Sequence, residues 1–235
     1  MSETAGMKFF LLPGKNPTAN LSENHEIAFN FWYDNWSAFF KKNDFEYKLN
    51  PDDFFRQDYV GLLIDGKTPL AIHLYSIFNI SLSYQLQQSY CFSNFTKSYF
   101  EKINQLKIVN CISFESMMVN PVFRKIENGK SIAPMLYAQG IQLVKALDSI
   151  NAMIAPARND IGVTRLAISG GAESIEEHSL HGFPVSLIIG RKERLHLGFL
   201  SELEQKNAVN IFTTESNLEL ISQKQNQQAQ FKKVS

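Results

Sequence analysis

Little cysteine, no surplus of charge and no long apolar run: each shortage in this chain closes a class of function. The two cysteines, Cys91 and Cys111, lack metal-ligand spacing and sit in apolar surroundings. That pattern fits buried thiols in a reducing compartment rather than a disulfide or a nucleophile. Basic and acidic residues balance at 23 each, for a formal net charge of zero. Wrapping a phosphate backbone needs a basic surplus, so nucleic acid is not expected as the main partner. No uninterrupted apolar stretch approaches bilayer length, so no membrane span is expected. The opening MSETAGMKFFLLPGKN has no basic lead-in and only a short apolar run, which does not match a signal peptide and points to a cytoplasmic location. His178 and His181 stand near a turn without partners at ligand spacing, and no metal is expected. A Gly-x-Ser-x-Gly elbow is also missing, which argues against a hydrolase triad.

What the chain does have is apolar and aromatic material. Hydrophobic residues make up 44% of its 235 residues, and 19 of them are Phe. Most of these rings belong in a core; a few could line an apolar pocket. The stretch Asn110 to Ala133, NCISFESMMVNPVFRKIENGKSIA, organises the rest. Val109 to Val119 is apolar and β-prone with one carboxylate, Glu115, set into it. Pro121 ends the strand because it has no amide hydrogen for a ladder bond. Ser131 can cap the following helix, and Pro134 is tolerated in its first turn. Amides free at a helix N-terminus, together with the helix dipole, suit phosphate. The GKS triplet at Gly129 to Ser131 is not a P-loop, because the earlier glycine of that motif would have to be Arg124.

Around this stretch the spacing predicts a strand at Lys8 to Leu12, closed by Pro13-Gly14, with Ser22 or Asn24 available as a helix cap. A helix is predicted over Glu26 to Lys42, with Ile27, Phe31, Trp32, Trp36, Phe39 and Phe40 at helical spacing. These rings form core or, alternatively, line a tunnel for an apolar tail. Tyr59 to Ile64 and Pro69 to Ile80 flank Asp65-Gly66, a hairpin signal. His73 in the second arm is either a strand histidine or a catalytic candidate. The aromatic run from Ile80 to Leu106, which includes Tyr90, gives a helix over Phe95 to Gln105 and is otherwise left open. Pro134 to Ile150 is an amphipathic helix, and Asn151 to Ala155 a short strand broken by Pro156. Val163 to Ile168 is a helix with Gly170-Gly171 as its C-cap. Glu173 to His178 and Pro184 to Ile189 are a closing pair of strands. The polar residues after Gly190 are helical in composition, and those beyond Ser222 fray. A single domain over 1–205 with an extension at 206–235, partly a disordered tail, is the expected organisation.

This order of elements resembles the GNAT superfamily of acyltransferases, and residues carry the likeness too. Val119, Pro121, Arg124 and then Gly129-Lys130-Ser131-Ile132-Ala133 are similar to the strand end, proline, arginine and glycine-rich turn of that family. Lys125 to Asn128 interrupt the pattern, and Ser131 stands where a glycine is usual. Downstream, Asn159, Gly162 and Gly170 hold the family's offsets, while Leu166 occupies the place of the tyrosine that often serves as general acid. Phe114-Glu115-Ser116 resembles the glutamate-bearing strand of N-acyl amino acid synthases and the related acyl-homoserine-lactone synthases; Met117 and Met118 stand where the latter carry an arginine.

The resemblance implies an α/β (α+β) fold with a central mixed, mostly antiparallel sheet, splayed between its fourth and fifth strands, and helices on both faces. It implies an enzyme that moves an acyl group from a CoA or acyl-carrier-protein thioester to an amine on a small molecule, with carrier protein as a candidate partner and no metal. Glu115 is the candidate base, since a carboxylate on an apolar strand should have a raised pKa; on an edge it would instead face solvent or pair with a lysine. By resemblance, Met118 and the amide of Val119 meet the thioester, while Arg124, Gly129, Lys130, Ser131 and Ile132 hold phosphate. Arg124, Lys125 and Lys130 could equally form a solvated loop. Asn159 either orients the pantetheine or caps a helix. A plain acetyl-CoA-dependent N-acetyltransferase and an inactive binding or regulatory module of the same fold are the alternatives.

Overall fold

The computed structural model describes residues 6–46, 48–82, 90–124, 131–214 and 217–225. Its strands are β1 (Met7–Leu12), β2 (Tyr59–Asp65), β3 (Thr68–Asn79), β4 (Asn110–Val119), β5 (Ala152–Arg158), β6 (Glu173–Leu180) and β7 (Phe183–Arg191). The helices are α1 (Ser22–Lys42), α2 (Asp52–Phe55), α3 (Lys97–Gln105), α4 (Ala133–Ala146), α5 (Val163–Ser169), α6 (Glu202–Phe212) and α7 (217–225). The strand order is β1-β2-β3-β4-β5-β7-β6. β4 and β5 run parallel, while β1–β2, β2–β3, β5–β7 and β6–β7 are antiparallel. This is the expected mixed, mostly antiparallel α/β sheet with helices around it. The chain divides into two compact units: Met1–Ser76 with Ser116–Gly140 and Lys206–Ser235, and Ile77–Glu115 with Ile141–Gln205.

In the first unit, β1 pairs with β2 from Met7↔Asp65 to Leu12↔Val60. Gly66, at a φ of 58°, is the first of the two residues, Gly66 and Lys67, that turn β2 into β3 between the paired Asp65 and Thr68. α1 starts earlier than its apolar spacing suggests, because the 3₁₀ turn Ala19–Leu21 runs directly into it. Ser22 does not cap the helix: its hydroxyl donates to Ala19 O at 2.8 Å. Phe31 and Trp32 pack with Phe54, Leu62, Ile72 and Met118 in one buried cluster. Core packing therefore claims the rings that could have lined a tunnel at this point. The C-terminal rings of α1, Trp36, Phe39 and Phe40, are half-buried and pack edge-on or tilted against one another and on Phe45.

The described residues after 205 are docked on this unit. Asn217, fully buried, accepts from Leu11 N at 2.7 Å and donates to Phe9 O at 3.1 Å and Phe212 O at 3.0 Å. Lys224, in the segment expected to fray, donates to Asp58 O and lies 4.5 Å from the Tyr59 ring centroid. Residues 226–235, the rest of the expected tail, lie outside the described residues.

In the second unit, Thr96 caps α3 by accepting from Tyr99 N at 3.2 Å. Tyr99 then reaches through the core to donate to Ile188 O at 2.7 Å. Phe92, Phe95, Ile103, Ile154 and Leu187 pack around it. α5 ends as the Gly170-Gly171 pair implies: Gly171 N donates to Ile168 O and Ala172 N to Ala167 O, the two bonds of a Schellman cap. Gly171 sits at a φ of 95°, and a Cβ there would collide with the backbone carbonyl of Arg194. The β6–β7 turn is tighter than the expected Ser179 to Phe183 loop. His181 and Gly182 both take positive φ, 50° and 77°, which is the backbone of a two-residue hairpin turn.

The expected break of β5 at Pro156 does not occur; the strand continues through it to Arg158. Asn151 O accepts from Lys192 N at 2.8 Å, and Asn159 N donates to Pro184 O at 3.0 Å. Odd-numbered residues of β5 therefore bond to β7, and even-numbered ones, Pro156 included, face the β4 side. The parallel β4–β5 ladder runs from Cys111↔Ala152 to Ser113↔Ile154 and stops. Pro156 is where the next ladder amide would be, and proline has none. The residue that was expected to break β5 instead ends its ladder to β4 and so splays the fourth and fifth strands.

Candidate functional site

Glu115 lies on β4 two residues after the last ladder pair with β5. Its carboxylate is half-buried and held by hydroxyls. Tyr90 donates to Oε1 at 2.9 Å and Oε2 at 3.0 Å, and the Ser113 hydroxyl donates to Oε1. Ser113 is buried and shares the strand, two residues away, so the period of the strand puts both side chains on one face. Tyr90 opens the 3₁₀ turn Tyr90–Asn94, and its ring meets the Phe78 ring at a centroid distance of 6.4 Å. The expected setting for Glu115 is apolar; the observed one is a cradle of hydroxyl donors. Tyr90 is the residue that sequence reasoning misses, because only the tertiary fold brings it to a strand 25 positions later.

Ser116, the next residue, has a φ of 50°, a left-handed conformation within a strand. Non-glycine residues adopt it rarely and at a cost of roughly 1–3 kcal/mol, and such strain concentrates at functional sites. Serine is not a residue type that announces this conformation, so no signal in the sequence points to it.

Beyond Ser116 the candidate donor-binding residues divide. The Met118 side chain is 7% exposed and belongs to the core cluster with Phe31 and Trp32. Only its backbone remains to meet a ligand. Asn120 N donates to Leu70 O at 2.9 Å, so by strand alternation the Val119 amide points to the opposite edge of β4. Arg124 folds back along the strand, its Nε donating to Val119 O at 3.3 Å and its guanidinium approaching Met118 Sδ at 3.9 Å. Ser131 accepts from Ala133 N at 3.1 Å, as expected of a residue that caps α4. The Ile132 side chain is buried, and its carbonyl accepts the first α4 bond, from Leu136 N at 3.1 Å. Gly129 and Lys130, with Lys125, lie outside the described residues.

Asn159 is engaged structurally. Its Oδ1 accepts from Thr164 at 2.5 Å and from Ser186 at 2.9 Å, tying the start of α5 to β7. The N-cap position itself is Gly162, at a φ of 79°. His73 is 2% exposed, and burial lowers its pKa to about 3, so it does not serve as a titrating catalyst. Burial likewise pushes the Cys111 thiol up, which suits a core thiol rather than a nucleophile.

No family model matches the chain, and no curated protein matches it in sequence. Solved structures do match it in fold. The CoA-dependent acyl-homoserine lactone synthase BjaI, solved with SAM and isopentyl-CoA, aligns over 93% of this chain and 98% of its own, with a TM-score of 0.53 at 12% identity. An acyl-CoA N-acyltransferase from Pseudomonas aeruginosa aligns over 78% of this chain and 99% of its own, with a TM-score of 0.50 at 8% identity. The likeness at such identities is one of fold: the chain has the GNAT-like architecture of acyl-CoA N-acyltransferases and acyl-homoserine lactone synthases.

Proposed function

We propose that the chain is a thioester-dependent N-acyltransferase that moves an acyl group from CoA or an acyl carrier protein to the amine of a small molecule, as N-acyl amino acid synthases do. The observation that carries this reading is the Glu115 carboxylate, held by Tyr90 and Ser113 and followed at once by the left-handed backbone of Ser116. The short β4–β5 ladder and the fold shared with N-acyltransferases support it.

In this reading the amine nitrogen attacks the thioester carbonyl carbon while Glu115 takes the ammonium proton. The Val119 amide, directed away from β3, donates to the developing oxyanion. Arg124, Gly129, Lys130, Ser131 and Ile132 bind the donor's phosphates, and beside Ser131 and Ile132 the α4 dipole favours negative charge. Asn159 fixes α5 against β7 through Thr164 and Ser186 and so holds in place the strand end expected to meet the pantetheine. Collapse of the tetrahedral adduct expels the thiolate and leaves an amide.

Thiol release measured with acetyl-CoA, long-chain acyl-CoA and acyl carrier protein, each with a panel of amines, tests the reading. Glu115→Gln should lower turnover ~10²-fold or more with the fold intact. Undiminished turnover in that variant removes Glu115 from the role of base. Turnover with acetyl-CoA alone would make the enzyme a plain N-acetyltransferase.

A further inference from the structure

We infer that Tyr90 is the positioning residue of this reaction, a phenol that holds the Glu115 carboxylate in the orientation and ionised state in which it accepts the amine proton. The inference rests on the acyltransferase reading and deepens it.

The geometry is a fork. One hydroxyl lies 2.9 Å from Oε1 and 3.0 Å from Oε2, so it shares its single proton between the two oxygens and fixes where the carboxylate points. A glutamate has several rotatable bonds, and the left-handed residue after it, Ser116, interrupts the regular pleat that would otherwise aim it. Tyr90 is itself held: its ring packs against Phe78, which packs on Phe92 at a centroid distance of 5.0 Å within the buried cluster. A rigid ring anchored in the core thus orients a flexible side chain at the edge of it. Ser113 assists from the same strand but reaches Oε1 alone.

A phenol donor changes the chemistry of the carboxylate it holds. A hydrogen bond donated to the ionised form favours that form. In that form Glu115 takes the proton as the C–N bond forms, and returns it to solvent afterwards. The C–S bond breaks with its electron pair on sulfur, which is protonated from solvent. Tyr90 keeps its own proton throughout.

The test is Tyr90→Phe in the full chain, read by the pH dependence of kcat/KM and by the titration of the Glu115 carboxyl. The carboxyl signal is isolated as an infrared difference against Glu115→Gln. Loss of one charge-assisted bond should move the acid limb and the carboxyl midpoint upward by roughly 1 pH unit, and lower kcat about tenfold, with KM for the thioester little changed. Ser113→Ala, which leaves the fork in place, should move both by less. A fall in kcat without movement of the limb or the midpoint would mean that Tyr90 only packs, and would overturn the inference. If the wild-type chain transfers no acyl group to any amine, the acyltransferase reading fails by itself. The carboxyl midpoint then still decides whether Tyr90 governs Glu115, and an unmoved midpoint overturns that too.

Discussion

His73 is enclosed on β3 with its ring centroid 4.7 Å from that of Tyr75, and burial holds its pKa near 3 against an ordinary value of 6.5. The folded protein keeps this imidazole neutral, whereas the unfolded chain binds a proton below about 6.5. Its contribution to stability is therefore complete above that pH and is lost as the pH falls toward 3, by roughly a factor of ten in the folding equilibrium per pH unit. Urea unfolding followed by the fluorescence of Trp32 and Trp36 should show this slope, and His73→Gln should flatten it. A wild-type slope in the variant would show that other groups govern the acid limb. The carboxylate of Glu115 and its same-face neighbour Ser113 are legible in the sequence, because a strand alternates with a period of two. Tyr90 and the backbone of Ser116 are not. One depends on a long-range approach, and the other on a conformation that serine does not advertise.

At the scale of elements, turn chemistry and hydrophobic period carry most of the information. Asp65-Gly66, Gly170-Gly171 and Pro121 each mark a boundary within a residue or two of the observed one, since each acts through the local backbone. Pro156 shows where local reasoning stops. A proline in a strand signals an interruption, but which neighbour loses a bond depends on the register, and register is a tertiary property. Here the register with β7 survives and the ladder to β4 ends. Pro156→Ala restores an amide able to extend that ladder by one bond, worth about 1 kcal/mol. Donor affinity, measured by calorimetry with a non-transferable acyl-CoA analogue, should then fall severalfold while the melting temperature holds or rises. Unchanged affinity would mean that the end of the ladder does not shape donor binding. The same limit explains the C-terminal segment. Its polar composition suggests helix but not docking, and a single buried residue, Asn217, pins it through two hydrogen bonds to β1 and a third to Phe212 at the end of α6.

For the whole molecule, the order of elements gives a GNAT-like fold even though no family model and no curated protein matches the chain in sequence. Topology is kept by the alternation of apolar faces and by turn residues, which tolerate extensive substitution; a site depends on individual atoms. Among the described residues, no helix is long and apolar enough to cross a membrane, and no cluster of potential metal ligands occurs. The chemistry proposed for Glu115 needs neither. The most direct measurement tracks an isotopically labelled acyl group from its CoA or carrier-protein thioester, by mass spectrometry, in the presence of amine mixtures and the full chain. The account predicts label in a new amide, one thiol released for each amide formed, and both lost together in Glu115→Gln. Label that stays on the thioester with every donor and amine, while the protein is folded, would contradict it.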